Sequence, residues 1–370
     1  MKHSWVEINL SALIHNLGEI RKIVGSKVEI CAIVKADAYG HGAVQIAKTL
    51  ADNGVNRFAV ANLKEGRQLR GSGIIQPILL LHPSFQEEAE EIVNFHLTPV
   101  VCSEVFAKKL NLIAKNKNEI YPVHVKVDTG MGRLGISLDS FFGFIERIFD
   151  LKNLKIEGVF SHFAKAHGDK NFSKKQLSLF KNLIKESQNN GIDIPFRHIA
   201  NSAGILNYPD SHFNLVRPGV ILYGLYPGDA KKYAKKISLQ PVMSLKTRII
   251  YAKEINPGCG LSYNHTYCVQ KKSVIATLPI GYSHGYSRIM SNKANIIFRG
   301  KKYPQAGTIC MDSLLINLGM IKPGIGEEVV LMGRHGRTVI SAEELAERMR
   351  TINYEVTCRF GINTEKEFVR

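Results

Sequence analysis

The first half of the chain takes its pattern from V-E-I-C-A-I-V (28–34), A-V-Q-I-A-K-T-L-A (43–51) and R-F-A-V (57–60). The first and last runs are short and apolar, which predicts buried strands. The middle run places apolar residues three and four positions apart, as Val44 and Ala47 show, and this spacing predicts an amphipathic helix. A strand, a helix and a second strand in this order predict a parallel βαβ unit.

The same alternation continues to about residue 230. Helical spacing recurs at Lys174–Asn189 and again behind Ser103, which we expect to be an N-cap. Eight units of this kind fit a closed (β/α)₈ barrel of the TIM type, which usually takes about 250 residues. The eight predicted strands are Val28–Val34, Arg57–Val60, Pro77–Leu81, Thr98–Val101, Val123–Val127, Lys155–Ser161, Phe196–Ala200 and Phe213–Val216.

The pattern changes after the charged stretch K-K-Y-A-K-K (231–236). Short β-rich runs punctuated by turn residues follow, with one helix at Ala342–Arg350 behind the N-cap Ser341 and a capping-box Glu344. We therefore predict an α/β barrel over residues 1–235 and a β-strand-rich C-terminal domain over 236–370. The predicted strands of the second domain are Met243–Ala252, Ser273–Pro279, Asn295–Arg299, Thr308–Asn317 and Glu328–Met332.

Composition narrows the class of protein. The 370 residues are 45% hydrophobic and 22% charged, values of a globular chain with a large core. The net charge of +17 favours anionic ligands, but the basic residues are dispersed, so we expect no nucleic-acid partner. The six cysteines form no C-x-x-C pair, and no run of 18 apolar residues occurs. We expect a soluble protein of the reducing cytoplasm, with no signal peptide, metal site or membrane span.

Chemically active side chains follow the predicted barrel strands, where the site of a (β/α)₈ barrel is built. Lys35 is the most informative, because a lysine partly removed from water at a barrel mouth becomes a nucleophile toward carbonyl groups. A lysine that merely ends a strand and reaches water is the alternative. The other residues at these strand ends are Tyr39, Asp128, Arg133, His162, Asn201, Ser202, Arg217 and Gly219.

The last two strand ends suggest a phosphate site. Asn201 and Ser202 open a short helix, and Gly219 with Val220 lets the backbone approach a ligand closely. An ordinary N-cap and turn glycine would have the same appearance. A lysine nucleophile and a phosphate cradle at one barrel mouth point to pyridoxal 5'-phosphate held as a Schiff base.

The motif V-K-A-D-A-Y-G-H-G (34–42) resembles the cofactor-attachment motif of bacterial alanine racemases. The resemblance extends over nearly the whole chain, in the order and at the spacing of that family, and it implies a barrel, a C-terminal β-domain and a head-to-tail homodimer with shared active sites. The further motifs that carry it are D-T-G-M-G-R-L-G (128–135), S-H-F-A (161–164), A-N-S-A-G (200–204), R-P-G-V-I-L-Y-G-L (217–225), L-S-Y-N-H-T-Y (261–267), P-I-G-Y-S-H-G-Y (279–286), I-C-M-D (309–312) and T-I-N-Y-E-V (351–356).

The resemblance also implies roles for individual residues. Lys35 would hold the cofactor and act as one base, and Tyr263 of the partner subunit would be the base on the opposite face. Inversion at Cα needs a proton removed on one face and delivered on the other, which agrees with two bases. Arg217 would face the pyridine nitrogen and leave it largely unprotonated, which disfavours a long-lived carbanion.

Binding roles follow in the same way. Arg133 and Met311 would engage the substrate carboxylate, next to Tyr263. Lys126 would be carbamylated and so become an anion that orients Arg133. Tyr282 and Asp312 would lie near the substrate entrance. The cofactor-binding set implied by the motifs is Lys35, Tyr39, His162, Asn201, Ser202, Arg217, Gly219, Val220 and Tyr354.

Other functions remain as alternatives. The nearest is a racemase of the same family with a broader amino-acid range. More remote is a serine hydrolase, because G-Y-S-H-G (281–285) matches the G-x-S-x-G elbow around Ser283, with Asp312 and His335 following.

The chain also departs from the family pattern: His284 and His167 stand where acidic residues are frequent, and Thr308 stands where arginine is common. We expect an alanine racemase that supplies D-alanine for peptidoglycan or serves alanine catabolism.

Overall fold

Alternating strands and helices fill the first two-thirds of the chain in the computed structural model, which describes residues 2–370. Numbered along those residues, the strands are β1 (Ser4–Asn9), β2 (Glu29–Ile33), β3 (Arg57–Val60), β4 (Ile78–Pro83), β5 (Thr98–Val101), β6 (Tyr121–Lys126), β7 (Leu154–Phe160), β8 (Phe196–His198), β9 (Leu215–Val216), β10 (Met243–Arg248), β11 (Tyr251–Ile255), β12 (Gly260–Leu261), β13 (Tyr267–Cys268), β14 (Ser273–Leu278), β15 (Asn295–Phe298), β16 (Lys301–Pro304), β17 (Leu314–Asn317), β18 (Glu328–His335), β19 (Thr338–Ile340) and β20 (Glu365–Val369).

The right-handed helices separate most of these strands in the first part of the chain. They are α1 (Leu10–Val24), α2 (Ala43–Asp52), α3 (Leu63–Gly71), α4 (Ala89–Asn94), α5 (Glu104–Asn116), α6 (Phe141–Phe149), α7 (Lys170–Asn189), α8 (Ser202–Asn207), α9 (Ala230–Tyr233), α10 (Ala342–Met349) and α11 (Asn353–Asn363). Within residues 2–370, none of the helices combines the length and apolar character needed to cross a bilayer.

Strands β2 to β9 form one parallel eight-stranded sheet, in the order β8-β7-β6-β5-β4-β3-β2-β9. Its two ends meet where Asn201 pairs with Arg217 and the Arg217 amide donates to the Ala200 carbonyl oxygen at 3.0 Å. The strands carry apolar side chains because parallel strands in a barrel are covered on both sides; all four residues of β3 and of β5 are buried. The predicted (β/α)₈ barrel is confirmed.

The predicted strand positions agree closely with the observed ones. Strands β3 and β5 match at both ends, and the other six differ by at most two residues at either end. Helix α7 begins earlier than predicted because Asp169 accepts a hydrogen bond from the Phe172 amide at 2.9 Å and caps it there. Ser103 occupies the N-cap position of α5, but its side chain makes no capping hydrogen bond.

The second compact unit combines Gln240–Arg370 with the chain up to Leu13 and the short segment Tyr39–Gly42. Its largest sheet has the order β16-β15-β18-β10-β1-β20, with β19 paired to β18. A three-stranded sheet, β11-β14-β17, and the hairpin β12-β13 complete it. The structure thus differs from a division at 235/236, because β1 pairs with β10 and β20 and belongs to the C-terminal unit.

Three predictions in the C-terminal unit need correction. The run Met243–Ala252 is not one strand but divides into β10 and β11. The run Thr308–Asn317 is a strand only over β17, because its first residues form a loop that bonds to the turn at Tyr263. Ser341 caps α10 as predicted, accepting from the Glu344 amide at 3.1 Å, but the Glu344 carboxylate pairs with Arg348 and Lys302.

Candidate active site

Lys35 lies two residues after β2, at the carboxyl end of the barrel, and strained backbone follows it directly. Ala36 to Tyr39 all have φ between 52° and 55°, one turn of left-handed helix. This conformation costs about 1–2 kcal/mol per residue that has a Cβ. The Glu65 carboxylate compensates by accepting from the amides of Ala36 at 2.8 Å and Ala61 at 2.7 Å. Strained backbone of this kind persists only where surrounding groups hold it in place, and it occurs most often at functional sites.

Gly40, directly after the left-handed turn, and Gly361 in α11 lie at a close contact between two backbone segments of the C-terminal unit, which leaves no room for a side chain. A Cβ on Gly40 would lie 2.4 Å from the Thr357 carbonyl oxygen, and one on Gly361 would lie 1.8 Å from the Gly40 carbonyl oxygen. Helix α11 therefore packs against the Tyr39–Gly42 segment with no side chain between them. The Tyr39 and Tyr354 rings lie 6.2 Å apart in this unit, and burial beside Tyr354 raises the pKa of Tyr39.

Four cationic side chains come from the carboxyl ends of barrel strands: Lys35, Lys126, Arg133 and Arg217. Burial and the charges of Arg217 and Arg133 lower the pKa of Lys126 to about 8. Burial and the same group of cations lower the pKa of His162 well below its ordinary value. A site with this excess of positive charge favours an anionic ligand.

Arg217 is buried, and burial lowers its pKa to about 10, so it remains a cation at neutral pH. Its NH2 group donates to the Ser161 carbonyl oxygen at 2.8 Å and to His162 Nδ1 at 3.1 Å, and its NH1 group donates to His198 Nδ1 at 2.7 Å. The Phe160 ring lies 5.1 Å from the guanidinium carbon and 5.4 Å from the Lys126 Nζ. The guanidinium is therefore fixed in orientation before any ligand binds.

A chain of hydrogen bonds leads from Arg217 into the barrel. His198 Nε2 lies 2.9 Å from His124 Nδ1, and His124 Nε2 lies 3.1 Å from a Glu157 oxygen. Burial lowers the pKa of both histidines, and nearby cations lower it further; Glu157 opposes this at His124, but the net shift is downward there too, so each histidine is neutral with one N–H. Because Arg217 donates to Nδ1 of His198, both histidines carry their proton on Nε2. Each hydrogen bond in the series therefore has its donor on the Arg217 side and its acceptor on the Glu157 side.

Glu157 is the anion that ends this chain. Burial would raise its pKa, but the hydrogen bond from His124 and the charge of Arg57, whose NH1 lies 3.1 Å away, lower it to about 2. Arg57 also stacks on the Phe196 ring, with its guanidinium carbon 4.3 Å from the ring centre. A carboxylate and two neutral histidines therefore support the cationic Arg217 from behind.

The predicted phosphate residues of the barrel come together at the start of α8. The Ser202 hydroxyl oxygen accepts from the Gly219 amide at 3.0 Å, so its hydrogen can be donated to a ligand. Asn201 caps the helix by accepting from the Gly204 amide at 2.9 Å, and its amide nitrogen lies 3.4 Å from His162 Nε2. Val220 begins a buried 3₁₀ turn directly after Gly219. These hydroxyl and backbone groups suit a phosphate.

The loop after β6 presents Arg133 at the surface. Asp128 organises the loop, because its carboxylate accepts from the amides of Gly130 and Gly132 at 2.8 Å and of Met131 at 2.7 Å. A Cβ on Gly135 would lie 2.7 Å from the Asp128 nitrogen, so the loop returns close to its start. The exposed Arg133 is thus carried by a fixed loop.

Tyr263 lies in the C-terminal unit on a tight turn and is 68% exposed. Its neighbours Ser262, Asn264 and His265 have φ of 60°, 59° and 45°, in the left-handed region. Tyr282 and Met311, two further predicted site residues, lie on two loops that are hydrogen-bonded to each other. The Tyr282 amide donates to the carbonyl oxygen of Cys310 at 3.0 Å, and the exposed Met311 follows Cys310. Asp312 follows at the surface.

Ser283 does not lie in a nucleophile elbow, which joins a strand to a helix. The residues after β14 form a single 3₁₀ turn, Tyr282–His284, and the chain then enters a second 3₁₀ turn. The Ser283 hydroxyl donates to the Met311 carbonyl oxygen at 2.7 Å. The geometry does not support the hydrolase alternative.

Four residues behind Arg217 were not predicted from the sequence, namely His198, His124, Glu157 and Arg57. His82 was not predicted either; its pKa is lowered by burial and by Lys35, Lys126 and Arg133. A signal was present, since His124, Glu157 and His198 interrupt predicted barrel strands that are otherwise largely apolar. A polar residue inside a buried strand predicts a hydrogen-bonded partner, but the partner can be identified only from the fold.

The fold and the barrel residues define a class: a (β/α)₈ barrel enzyme that carries a lysine and several further cationic side chains at the carboxyl ends of its strands. Comparison with known proteins identifies the family. Residues 8–227 match the family model for the alanine racemase N-terminal domain, and residues 242–368 match that for the C-terminal domain.

Relatives and solved structures match over the whole chain. An alanine racemase of Halothermothrix orenii is 42% identical over 99% of this chain and 96% of its own. The structure of an alanine racemase of Clostridium difficile 630 is 38% identical, with a TM-score of 0.94 over 100% of this chain and 96% of its own. An alanine racemase from Bartonella henselae with covalently bound pyridoxal phosphate is 28% identical, with a TM-score of 0.87 over both full chains. The chain belongs to the alanine racemase family.

We expect Glu157→Gln to lower the free energy of unfolding by about 2 kcal/mol, because it leaves the His124 donor without an anion and Arg57 with only its 3.7 Å contact to Glu29. The pKa of Glu157 is lowered from 4.5 to about 2, so its stabilising effect is present above pH 4.5 and is lost as the pH falls toward 2. Urea unfolding at several pH values measures both effects. Glu90→Gln, at an exposed position of α4, is the matched control and should change little. An equal decrease in the free energy of unfolding in the two variants would contradict the stabilising role of the hydrogen bonds that end at Glu157.

Proposed function

We propose that this protein is a pyridoxal-phosphate-dependent racemase that interconverts L-alanine and D-alanine. The observation that carries the proposal is Lys35 at the carboxyl end of β2, in the same rim as Lys126, Arg133 and Arg217, in a chain that matches both family domains. A role in supplying D-alanine for peptidoglycan follows from this activity, and alanine catabolism is the other use of the same reaction. A broader amino-acid range is the second candidate.

The barrel residues fit the proposed cofactor. Lys35 supplies an amine for the covalent bond to its aldehyde carbon. Ser202, Gly219 and Val220 supply a hydroxyl and backbone amides for the phosphate, beside Asn201 and His162. When bound, pyridoxal phosphate withdraws electrons from the substrate Cα and so makes its proton removable. Tyr39 and Tyr354, an adjacent ring pair of the C-terminal unit, remain predicted phosphate ligands.

Arg217 is proposed to set the character of the cofactor ring by donating to its nitrogen. A guanidinium that already donates to His198, His162 and Ser161 cannot yield a proton at neutral pH, since its pKa is about 10. A ring nitrogen that receives a hydrogen bond but no proton withdraws electrons less strongly. The barrel thus limits the lifetime of negative charge on Cα and with it side reactions such as transamination.

The two bases are proposed to be Lys35 and Tyr263, with Tyr263 coming from the second subunit of a head-to-tail homodimer. Tyr263 is 68% exposed and Met311 59% exposed, and Ile352 and Ile362 of the same unit are exposed as well. Apolar and aromatic groups of this kind are typical of surfaces that a second subunit covers. Arg133 and Met311 would hold the substrate carboxylate, with Tyr282 and Asp312 at the entrance.

Lys126 is proposed to carry a carbamate. Its side chain is buried beside Arg217 and Arg133, where a cation is unfavourable, and its pKa is lowered to about 8. The ammonium group first loses a proton, and the neutral amine then adds carbon dioxide and releases a second proton, so that an anion replaces the cation. The anion would orient Arg133 toward the substrate carboxylate.

The free thiols of all six cysteines fit the proposed location in the reducing cytoplasm.

Lys35→Ala should abolish covalent attachment of the cofactor, because no other amine is delivered by β2. After incubation with pyridoxal phosphate and reduction with borohydride, intact-protein mass should show the adduct in the parent protein only. Lys27→Ala, at an exposed position before β2, is the control and should keep the adduct. A full adduct on Lys35→Ala would refute the assignment.

Mixing two inactive variants tests the shared site. Lys35→Ala and Tyr263→Phe should each lose activity, and refolding or exchanging them together should form hybrid dimers with one intact site. Random pairing at equal amounts predicts about a quarter of the parent activity, because half of the dimers are hybrids with one working site. Each variant mixed with itself is the control. No recovery, with hybrid dimers verified by differently tagged subunits, would mean that the two bases come from one chain or that Tyr263 is not a base.

A carbamate on Lys126 should be visible with ¹³C-labelled bicarbonate. The parent protein should give a protein-bound carbamate carbon resonance near neutral pH, and Lys126→Met should not. The control is Lys155→Met, at an exposed position of β7, which should keep the resonance. High-resolution density that shows a bare Lys126 amine with bicarbonate present would rule out the modification.

A further inference from the structure

The turn that carries Tyr263 is bonded to a second segment of the C-terminal unit. The Thr308 hydroxyl donates to the Tyr263 carbonyl oxygen at 2.9 Å, and the Ser262 hydroxyl donates to the Thr308 carbonyl oxygen at 2.6 Å. The two hydrogen bonds run in opposite directions between the same segments. We refer to Ser262, Tyr263 and Thr308 as the reciprocal clamp.

Further donors fix the direction of the Thr308 bond. The single hydroxyl hydrogen of Thr308 goes to the Tyr263 carbonyl, so the Thr266 hydroxyl, 3.2 Å away, donates to the Thr308 oxygen. Asn292 in turn donates to the Thr266 hydroxyl at 3.1 Å and accepts from the Gly307 amide at 2.6 Å. Thr308 is buried, which limits competition from water for these bonds.

The turn needs such support because its backbone is unfavourable. Ser262, Asn264 and His265 all have positive φ, and residues with a Cβ adopt this conformation only when neighbouring groups hold them. The approach is also close: a Cβ on Gly307 would lie 2.9 Å from the Ser262 Cβ. Since most of the Tyr263 surface is exposed, packing within the subunit does not hold its ring, and the backbone decides where the phenol lies.

We infer that Thr308 is a positioning residue for proton transfer by Tyr263, acting through the reciprocal clamp. The Thr308 hydroxyl acts on the backbone of Tyr263, because its hydrogen is donated to the carbonyl oxygen of that residue. The inference rests on the proposed function, since it takes Tyr263 as one of the two bases. Loss of the hydroxyl should therefore affect the proton transfer that uses Tyr263 and leave the one that uses Lys35.

Three variants of the holoenzyme test this inference. Thr308→Val removes the hydroxyl at nearly constant volume, and Thr308→Ser restores it. Thr247→Val is the matched control, because Thr247 is also buried in the C-terminal unit and donates to the His3 carbonyl oxygen at 2.9 Å. Amide hydrogen exchange in peptides covering residues 260–268 should be faster by about fivefold in Thr308→Val, the effect of losing one hydrogen bond, and unchanged in the other two variants.

Racemisation kinetics with α-deuterated L- and D-alanine give the functional result. In Thr308→Val the rate should fall by about fivefold, with a larger isotope effect for one enantiomer only, and Thr308→Ser should restore both values. Unchanged exchange in residues 260–268 would overturn the clamp. Faster exchange with equal isotope effects for the two enantiomers would overturn the positioning role. Tyr263→Phe, measured in parallel, separates these failures from a failure of the proposed function, because a full rate in that variant removes Tyr263 as a base.

Discussion

Burial of the Arg217 guanidinium is the constraint on which the barrel site depends. A buried cation is costly unless its N–H groups have acceptors and a compensating charge lies near. Here the acceptors are the Ser161 carbonyl and two histidines kept neutral by burial and by the surrounding cations, and the compensating charge is Glu157 beyond His124. Because these groups occupy the interior side, Lys35 and Arg133 leave the rim positive, which suits the phosphate of the proposed cofactor and the carboxylate of the substrate.

Both proposed bases adjoin strained backbone. Lys35 is followed by four left-handed residues, and Tyr263 is flanked by three. In each case a side chain compensates by bonding to the backbone: Glu65 accepts from the Ala36 amide at the first position, and Thr308 donates to the Tyr263 carbonyl at the second. Proton transfer depends on distances that vary by less than an ångström, so a backbone held in one conformation is an advantage at both positions.

Much of the architecture could be predicted from local pattern. Strands β3 and β5 were predicted to the residue because parallel barrel strands are apolar on both faces and end at turn residues. The positions of Lys35, His162, Ser202 and Arg217 at one rim were predicted because residues after barrel strands collect there, and their roles stay predictions. The loop at 308–313 was mistaken for strand, since its apolar residues resemble β17, and the partners of Arg217 were missed, since hydrogen bonds between distant strands leave no local pattern.

The amino-acid sequence alone was therefore sufficient for the barrel, the position of Lys35 at its rim and the family, because periodicity and short motifs depend on neighbours along the chain. Only the folded chain decided which residues support Arg217, why β1 joins the C-terminal unit, and how Thr308 holds the turn at Tyr263. Each of these joins residues far apart in the chain, from 19 positions between Arg217 and His198 to 243 between Ser4 of β1 and Thr247 of β10. Such contacts depend on strand pairing and burial, which no single stretch of sequence specifies.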